Sequence, residues 1–296
     1  MTIVVTDSGI GGYSVAAELF TRLQASPPRD VRIIFFNALF DAHSGYNRLN
    51  TLAEKAEKFD AALREMLTFA PDLIAIACNT LSVIYPRTIF ARQPAAPVMG
   101  IVEIGVNCLL RRIERASKPR VILFATPTTI QQAEHARLLR QARPDVPIIA
   151  QACPELIKAI EEGNSTEIDA RVNEYVAQAA AQLPAGAATL FASLNCTHFG
   201  YAADDFRRAF SAQGLDAEIV NPNSAMTDAL FAEITQKQPL PLPPSPKLGE
   251  GLGVRSPVLE VVSNVPLHPD GIAALIPLLR QYAPEAAAAL QQKIQM

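Results

Sequence analysis

Two cysteines of this chain stand in the same kind of setting. Cys78 follows the apolar run Leu73–Ala77 and leads into Asn79-Thr80, and Cys196 follows Thr189–Ser193 and Asn195 and leads into Thr197-His198. Each thiol therefore sits where a buried strand ends, beside hydroxyl or amide groups, and α/β enzymes place their chemistry just past strand carboxyl ends. A single buried cysteine is most often packing. The repetition points to chemistry instead. A thiol has an ordinary pKa of about 8.5 that surroundings tune toward working pH, which suits it to carry a proton. Removing the α-proton of an amino acid leaves a carbanion, and inverting that centre requires a proton delivered to the opposite face. One base cannot easily do both, so two thiols flanking one carbon fit a direct, two-base inversion. Cys108 lacks such neighbours and Cys153 has only Pro154-Glu155, so both read as structural.

Other residue types fit the same reaction. Asp7 is placed to orient or deprotonate one thiol and His198 to serve the other, while Ser8, Asn79, Thr80 and Thr197 are candidates to hold the α-carboxylate and amino group where charge develops. Asp7-Ser8-Gly9-Ile10-Gly11-Gly12 follows the strand Ile3–Thr6 and enters a helix near Ser14, so its backbone N–H groups are available to an anion. The glycine spacing is not that of a dinucleotide-binding loop. No lysine stands in a persuasive Schiff-base context, and no cofactor is expected. Cys196-x-His198 is the one close Cys/His pair and falls two ligands short of a structural zinc site.

The elements that must position these groups are visible as apolar runs. Ile3–Thr6, Val31–Phe36, Leu73–Ala77, Pro97–Ile101, Val121–Ala125, Ile148–Ala150, Thr189–Ser193, Ala217–Val220 and Val258–Val262 read as buried strands. Uniformly apolar strands suit a parallel sheet covered on both faces. Leu52–Phe69 carries apolar residues at three- and four-residue steps and predicts an amphipathic helix, as do Ala170–Ala181 and Ile272–Tyr282. Strands alternating with helices imply α/β architecture. Residues 239–257 are rich first in proline and then in glycine, and read as an exposed, disordered insertion.

Composition bounds the class. Of 296 residues, 49% are apolar and 19% charged, enough to bury a sizeable core. A weakly acidic net charge of -3 argues against a dedicated nucleic-acid partner, since neutralising phosphates needs clustered Lys and Arg. No apolar run of about 18 residues predicts a membrane span, and the N-terminus lacks a signal-peptide pattern. Four widely spaced cysteines fit free thiols in a reducing cytoplasm. Arg111, Arg112 and Arg115, like Arg207 and Arg208, read as solvated helix faces, and His43 as a solvated loop histidine.

At the residues that carry this chemistry the chain resembles glutamate racemase and the wider aspartate/glutamate racemase family. Asp7-Ser8-Gly9-Ile10-Gly11-Gly12, Ala77-Cys78-Asn79-Thr80, Thr126-Pro127-Thr128-Thr129-Ile130, Cys153-Pro154 with Glu161-Glu162-Gly163, and Cys196-Thr197-His198 match the family's motifs in order. The resemblance implies two pseudo-symmetric α/β lobes with the substrate between them: 1–98 plus 212–296, and 99–211. It implies that Cys78, aided by Asp7, works on the D-isomer's α-proton, and Cys196, aided by His198 and Glu161, on the L-isomer's. It adds Thr126 and Thr129 to the substrate-binding set, implies a homodimer, and links the family to D-glutamate for peptidoglycan. The family's Pro-Tyr-Gly stretch is absent; the region Phe36–Asn47 offers Ser44, Gly45 and Tyr46 as comparable donors. The expected activity is racemisation of glutamate, then of aspartate. Competing readings are a hydantoin racemase, a decarboxylase, for which one thiol suffices, and a non-catalytic binding protein, which needs no thiol pair.

Overall fold

The computed structural model describes residues 1–27, 29–41, 45–238, 256–267, 269–280 and 283–294. The Pro/Gly-rich segment at 239–255, His43 and Ser44 lie outside them. Within them, nine strands form two all-parallel sheets. The first contains β1 (Thr2–Asp7), β2 (Arg32–Asn37), β3 (Leu73–Ile76), β4 (Val98–Gly100) and β9 (Val258–Ser263), in the order β4-β3-β1-β2-β9. The second contains β5 (Pro119–Ala125), β6 (Ile148–Ala152), β7 (Thr189–Asn195) and β8 (Ala217–Val220), in the order β6-β5-β7-β8.

In the first sheet β1 lies between β2 and β3, and in the second β5 lies between β6 and β7, so the first three strands of each sheet are arranged alike. Cys78 and Cys196 therefore follow equivalent third strands, and the Asp7-Ser8 and Thr126-Pro127 loops follow equivalent first strands. Every apolar run read as a strand is one, with ends shifted by no more than two residues. The β8 pairing with β7 corrects the expected lobe boundary. Residues 217–220 complete the second sheet, so the chain returns to the first sheet after Val220 and not at 212.

The sheets are buried because helices cover both faces. Helices Tyr13–Gln24, Pro222–Lys237, Pro269–Arg280 and Pro284–Ile294 pack one face of the first sheet around Ile3, Val5, Ile33 and Phe35. Helices Leu52–Met66 and Asn79–Ile84 cover the other around Val4, Ile34, Ile74 and Ile76. Alternation of β1 side chains between these two cores explains why the strand is apolar on both faces. The second sheet is enclosed likewise by Leu156–Glu161, Ser165–Ala180 and Ala203–Ala212 on one side, and by Ile101–Ile113 and Glu134–Ala142 on the other. The helix Leu52–Met66 starts at Thr51, whose hydroxyl accepts from the Glu54 N–H at 3.1 Å while the Glu54 carboxylate accepts from Thr51 N at 2.9 Å. Among the described residues no helix is long and apolar enough to cross a membrane.

Candidate active site

The two strand ends bearing cysteines meet at one loop. β1 delivers Asp7, fully buried, and the chain then turns through Ser8 and Gly9. The Ser8 hydroxyl lies 3.2 Å from the Cys78 thiol. Cys78 caps the helix Asn79–Ile84, and its Sγ accepts from the Leu81 N–H at 3.4 Å. From the second sheet, the Thr197 hydroxyl donates to Asp7 Oδ2 at 2.9 Å, and the Gly9 N–H donates to Oδ1 at 3.1 Å. Next along the chain, His198 Nε2 bonds Glu161 Oε1 at 2.9 Å, and its imidazole is electrostatically coupled to Cys196. A methyl group placed on Gly9 would stand 3.5 Å from Glu161 Oε1 and 3.6 Å from His198 Cε1, so that loop borders the second-sheet cluster as well as Cys78. Gly11 is required by the same closeness. A Cβ there would lie 2.6 Å from both His198 Cε1 and Thr197 Oγ1, nearer than atoms tolerate.

The electrostatics separate the two sides. Burial, joined by the negative charge of Asp7, pushes the Cys78 thiol up to about 12, against smaller lowering by hydrogen bonds from Ser8 and Leu81. Cys78 is thus held as the protonated thiol. Burial also raises Asp7 to about 6, opposed by the charge of His198 and the hydrogen bonds from Thr197 and Gly9. For His198 burial disfavours the cation, yet hydrogen bonds and charge from Cys196 and Glu161 outweigh it and hold the imidazole well above its ordinary value. One side is therefore a proton donor with a hydroxyl neighbour. The other is a thiol coupled to an imidazolium–carboxylate pair.

Beside the thiols, a polar seam joins the two sheets' halves. Thr80 Oγ1 lies 2.9 Å from Thr126 Oγ1 and 3.2 Å from Thr129 Oγ1, and Thr126 and Thr129 are 3.0 Å apart. Asn79 Oδ1 meets His135 Nε2 at 2.9 Å. Lys55 Nζ donates to Thr128 Oγ1 at 2.7 Å, and both residues are buried. Next to this seam opens a cleft of about 380 Å³ whose walls include Ser8, Gly9, Gly45, Thr126, Glu161 and His198. Arg48 and Lys158 add positive charge to it, and Asp41 and Glu155 negative charge. Cys78 and Cys196 are 6% and 5% exposed, so both thiols are buried.

Of the residues expected from sequence, Asp7, Ser8, Cys78, Asn79, Thr80, Thr126, Thr129, Glu161, Cys196, Thr197 and His198 converge on this region. Tyr46 lines the cleft; its hydroxyl donates to the Ala38 carbonyl at 3.0 Å, and its ring stacks edge-on against Phe40 and Phe59. Cys153, read as structural, is buried in the second sheet's core and borders the cleft, and burial, with the nearby Cys196, pushes its thiol well above the ordinary range. Ser44 lies outside the described residues. Sequence reasoning missed His135 and Lys55. Neither carries a local motif, and their partners are 56 and 73 residues away.

Two parallel sheets of like strand order, each with a thiol following its third strand, define a two-lobed α/β protein. No family model matches the chain. It is similar to glutamate racemase from Pseudomonas entomophila, 29% identical over 94% of this chain and 93% of that one, and to glutamate racemase from Ruegeria pomeroyi, 27% identical over 81% and 87%. Its fold matches that of glutamate racemase from Francisella tularensis in complex with D-glutamate, with a TM-score of 0.69 at 20% identity over 93% of each chain. Along most of its length the chain is similar to glutamate racemases in sequence, and it shares their α/β fold.

Proposed function

We propose that this protein interconverts L- and D-glutamate without a cofactor, using Cys78 and Cys196 as paired acid and base on opposite faces of the α-carbon. The observation that carries this reading is the shared Asp7–Gly9 loop. Ser8 holds Cys78, while Asp7 accepts from Thr197 and Gly9 borders the His198–Glu161 pair that serves Cys196. In one direction Cys196, exchanging its proton through His198, takes the L-isomer's α-proton, and Cys78, held as the thiol, delivers a proton to the other face. In the reverse direction Cys78 removes the D-isomer's proton and Cys196 returns one. Ser8, Asn79, Thr80, Thr126, Thr129 and Thr197, with backbone at Gly45, hold the α-carboxylate and amino group, where donors stabilise the developing carbanion. The substrate sits between two lobes, one from 1–98 plus the chain after β8, the other from 99 to the end of β8. The resemblance to racemases further supports a cytoplasmic homodimer that supplies D-glutamate for the cell wall, and size-exclusion chromatography with light scattering tests the dimer.

Circular dichroism of L-glutamate incubated with the protein tests the activity, with L-aspartate as the comparison. Cys78→Ser and Cys196→Ser are each expected to lower racemisation by orders of magnitude, because each removes one proton carrier. Wild-type rates in either variant would refute the paired-thiol reading. Inversion of aspartate in preference to glutamate would refute the substrate.

A further inference from the structure

Asn79 directly follows Cys78, is 2% exposed, and has one end of its amide satisfied and the other not. Its Oδ1 meets His135 Nε2 at 2.9 Å, while Nδ2 is buried without a hydrogen-bond partner. A buried N–H left unpaired costs about 1–3 kcal/mol, so a fold that keeps one beside a reactive thiol has a use for it. His135 is itself 4% exposed and enters from the opposite half of the molecule, at the start of the helix Glu134–Ala142. Ala133, in the left-handed conformation at φ 53°, turns the chain between that helix and Pro127–Gln132, which sets the direction from which His135 arrives.

We propose that His135 is a positioning residue for the racemisation. Its Nε2–H donates to Asn79 Oδ1 and so locks the carboxamide with Nδ2 as the free donor to the substrate's carboxylate beside Cys78. The inference rests on the proposed function for the identity of that substrate, but the lock itself does not. An amide flipped by half a turn would set its N–H₂ against the imidazole N–H and offer a carbonyl oxygen to a carboxylate, two repulsions in place of two hydrogen bonds. Burial also pushes His135 down to about 4, against the smaller opposing effect of Glu134, so it stays neutral and keeps a single N–H. Because Asn79 belongs to the first sheet's half and His135 to the second's, the donor is set only when the two halves are apposed.

Nitrogen–proton correlation spectra of the ¹⁵N-labelled full-length protein test the lock directly. The expected result is a neutral His135 with its proton on Nε2 at pH 6–8, and a shift of that signal in Asn79→Ala. A proton on Nδ1, or an imidazolium, would overturn the assignment whether or not the protein racemises glutamate. The consequence is tested by kinetics of His135→Leu, His135→Gln, Asn79→Ala and the double variant Asn79→Ala/His135→Leu. Loss of a donor to a carboxylate predicts a rise in KM for glutamate of roughly tenfold in His135→Leu with kcat little changed, and recovery in His135→Gln, whose amide can donate to the same oxygen. In the Asn79→Ala background, His135→Leu should add nothing. Effects that simply add, or a glutamine variant as impaired as leucine, would show a general packing role and overturn the proposal. If His135→Leu does not fold, His135→Gln and the spectra still decide. An inactive wild-type protein would refute the proposed function while the spectra separately judge the lock.

Discussion

Gly11→Ala tests how tightly the shared loop is built. A Cβ at this position would stand 2.6 Å from His198 Cε1 and 2.6 Å from Thr197 Oγ1, whereas ordinary contact begins at 3.4 Å. His198 Nδ1 would be nearer still, at 2.4 Å, so His198 must withdraw by about 1.0 Å and Thr197 by about 0.8 Å, or the loop must. Neither is free to do so: His198 is 3% exposed and bonded to Glu161 at 2.9 Å, and Thr197 is 2% exposed and bonded to Asp7 at 2.9 Å. Forcing one carbon into a packed site costs about 1–3 kcal/mol, which urea unfolding will read. A misplacement approaching 1 Å in a reacting group costs on the order of 10² in rate. The expected result is racemisation lowered by roughly that factor in a protein that still folds. The loss should be one-sided. Cys78 keeps its Ser8 partner, so exchange of the D-isomer's α-proton in deuterated water should outlast exchange of the L-isomer's, measured by proton NMR. Racemisation near the wild-type rate, or equal loss of exchange from both isomers, would refute the reasoning.

Other expectations follow from buried groups and from the segment before β9. Asp7 is raised from 3.8 to about 6, so the folded protein holds its proton more tightly than the unfolded chain; that stabilisation is present below about pH 4 and is lost as pH rises through 6. Urea unfolding of the wild type relative to Asp7→Asn should therefore fall by about 3 kcal/mol between pH 4 and 7, and a rising difference would contradict the burial of this carboxyl. Lys55→Met should be neutral or stabilising, because it removes a buried ammonium while filling its space. Thr128→Val should destabilise by about 1–3 kcal/mol by stranding that ammonium, and thermal denaturation of the two variants in the opposite order would count against it. Deleting residues 239–253 should leave kcat close to wild type, and a collapse of activity without unfolding would show that the segment contributes to the site.

Strands and helices were legible because burial imposes a pattern. β1 alternates Ile3 and Val5 into one core with Val4 into the other, so its sequence is apolar throughout. Cys78 and Cys196 were legible because each closely follows such a run. What sequence could not supply was pairing at a distance. Assigning β8 to the second sheet depends on its register with β7, Leu190 opposite Ala217, which no local feature announces. Nor does any local feature announce that the Tyr46 hydroxyl meets the Ala38 carbonyl, eight residues back in the folded loop. His135 and Lys55 look like any polar residue of an amphipathic helix until the other half of the molecule arrives to bury them.

The like order of the two sheets bears on what such a molecule can achieve. A chain of L-residues cannot form the mirror image of one of its own surfaces, so a planar carbon can never meet identical surroundings on its two sides. Repeating one topology in the same hand and setting the copies against each other is the nearest approach, and it leaves a serine attending one sulfur and an imidazole the other. The equilibrium between enantiomers in water is fixed at unity, so this inequality cannot favour either product. It appears instead as unequal turnover numbers and Michaelis constants for the two directions, bound to one ratio.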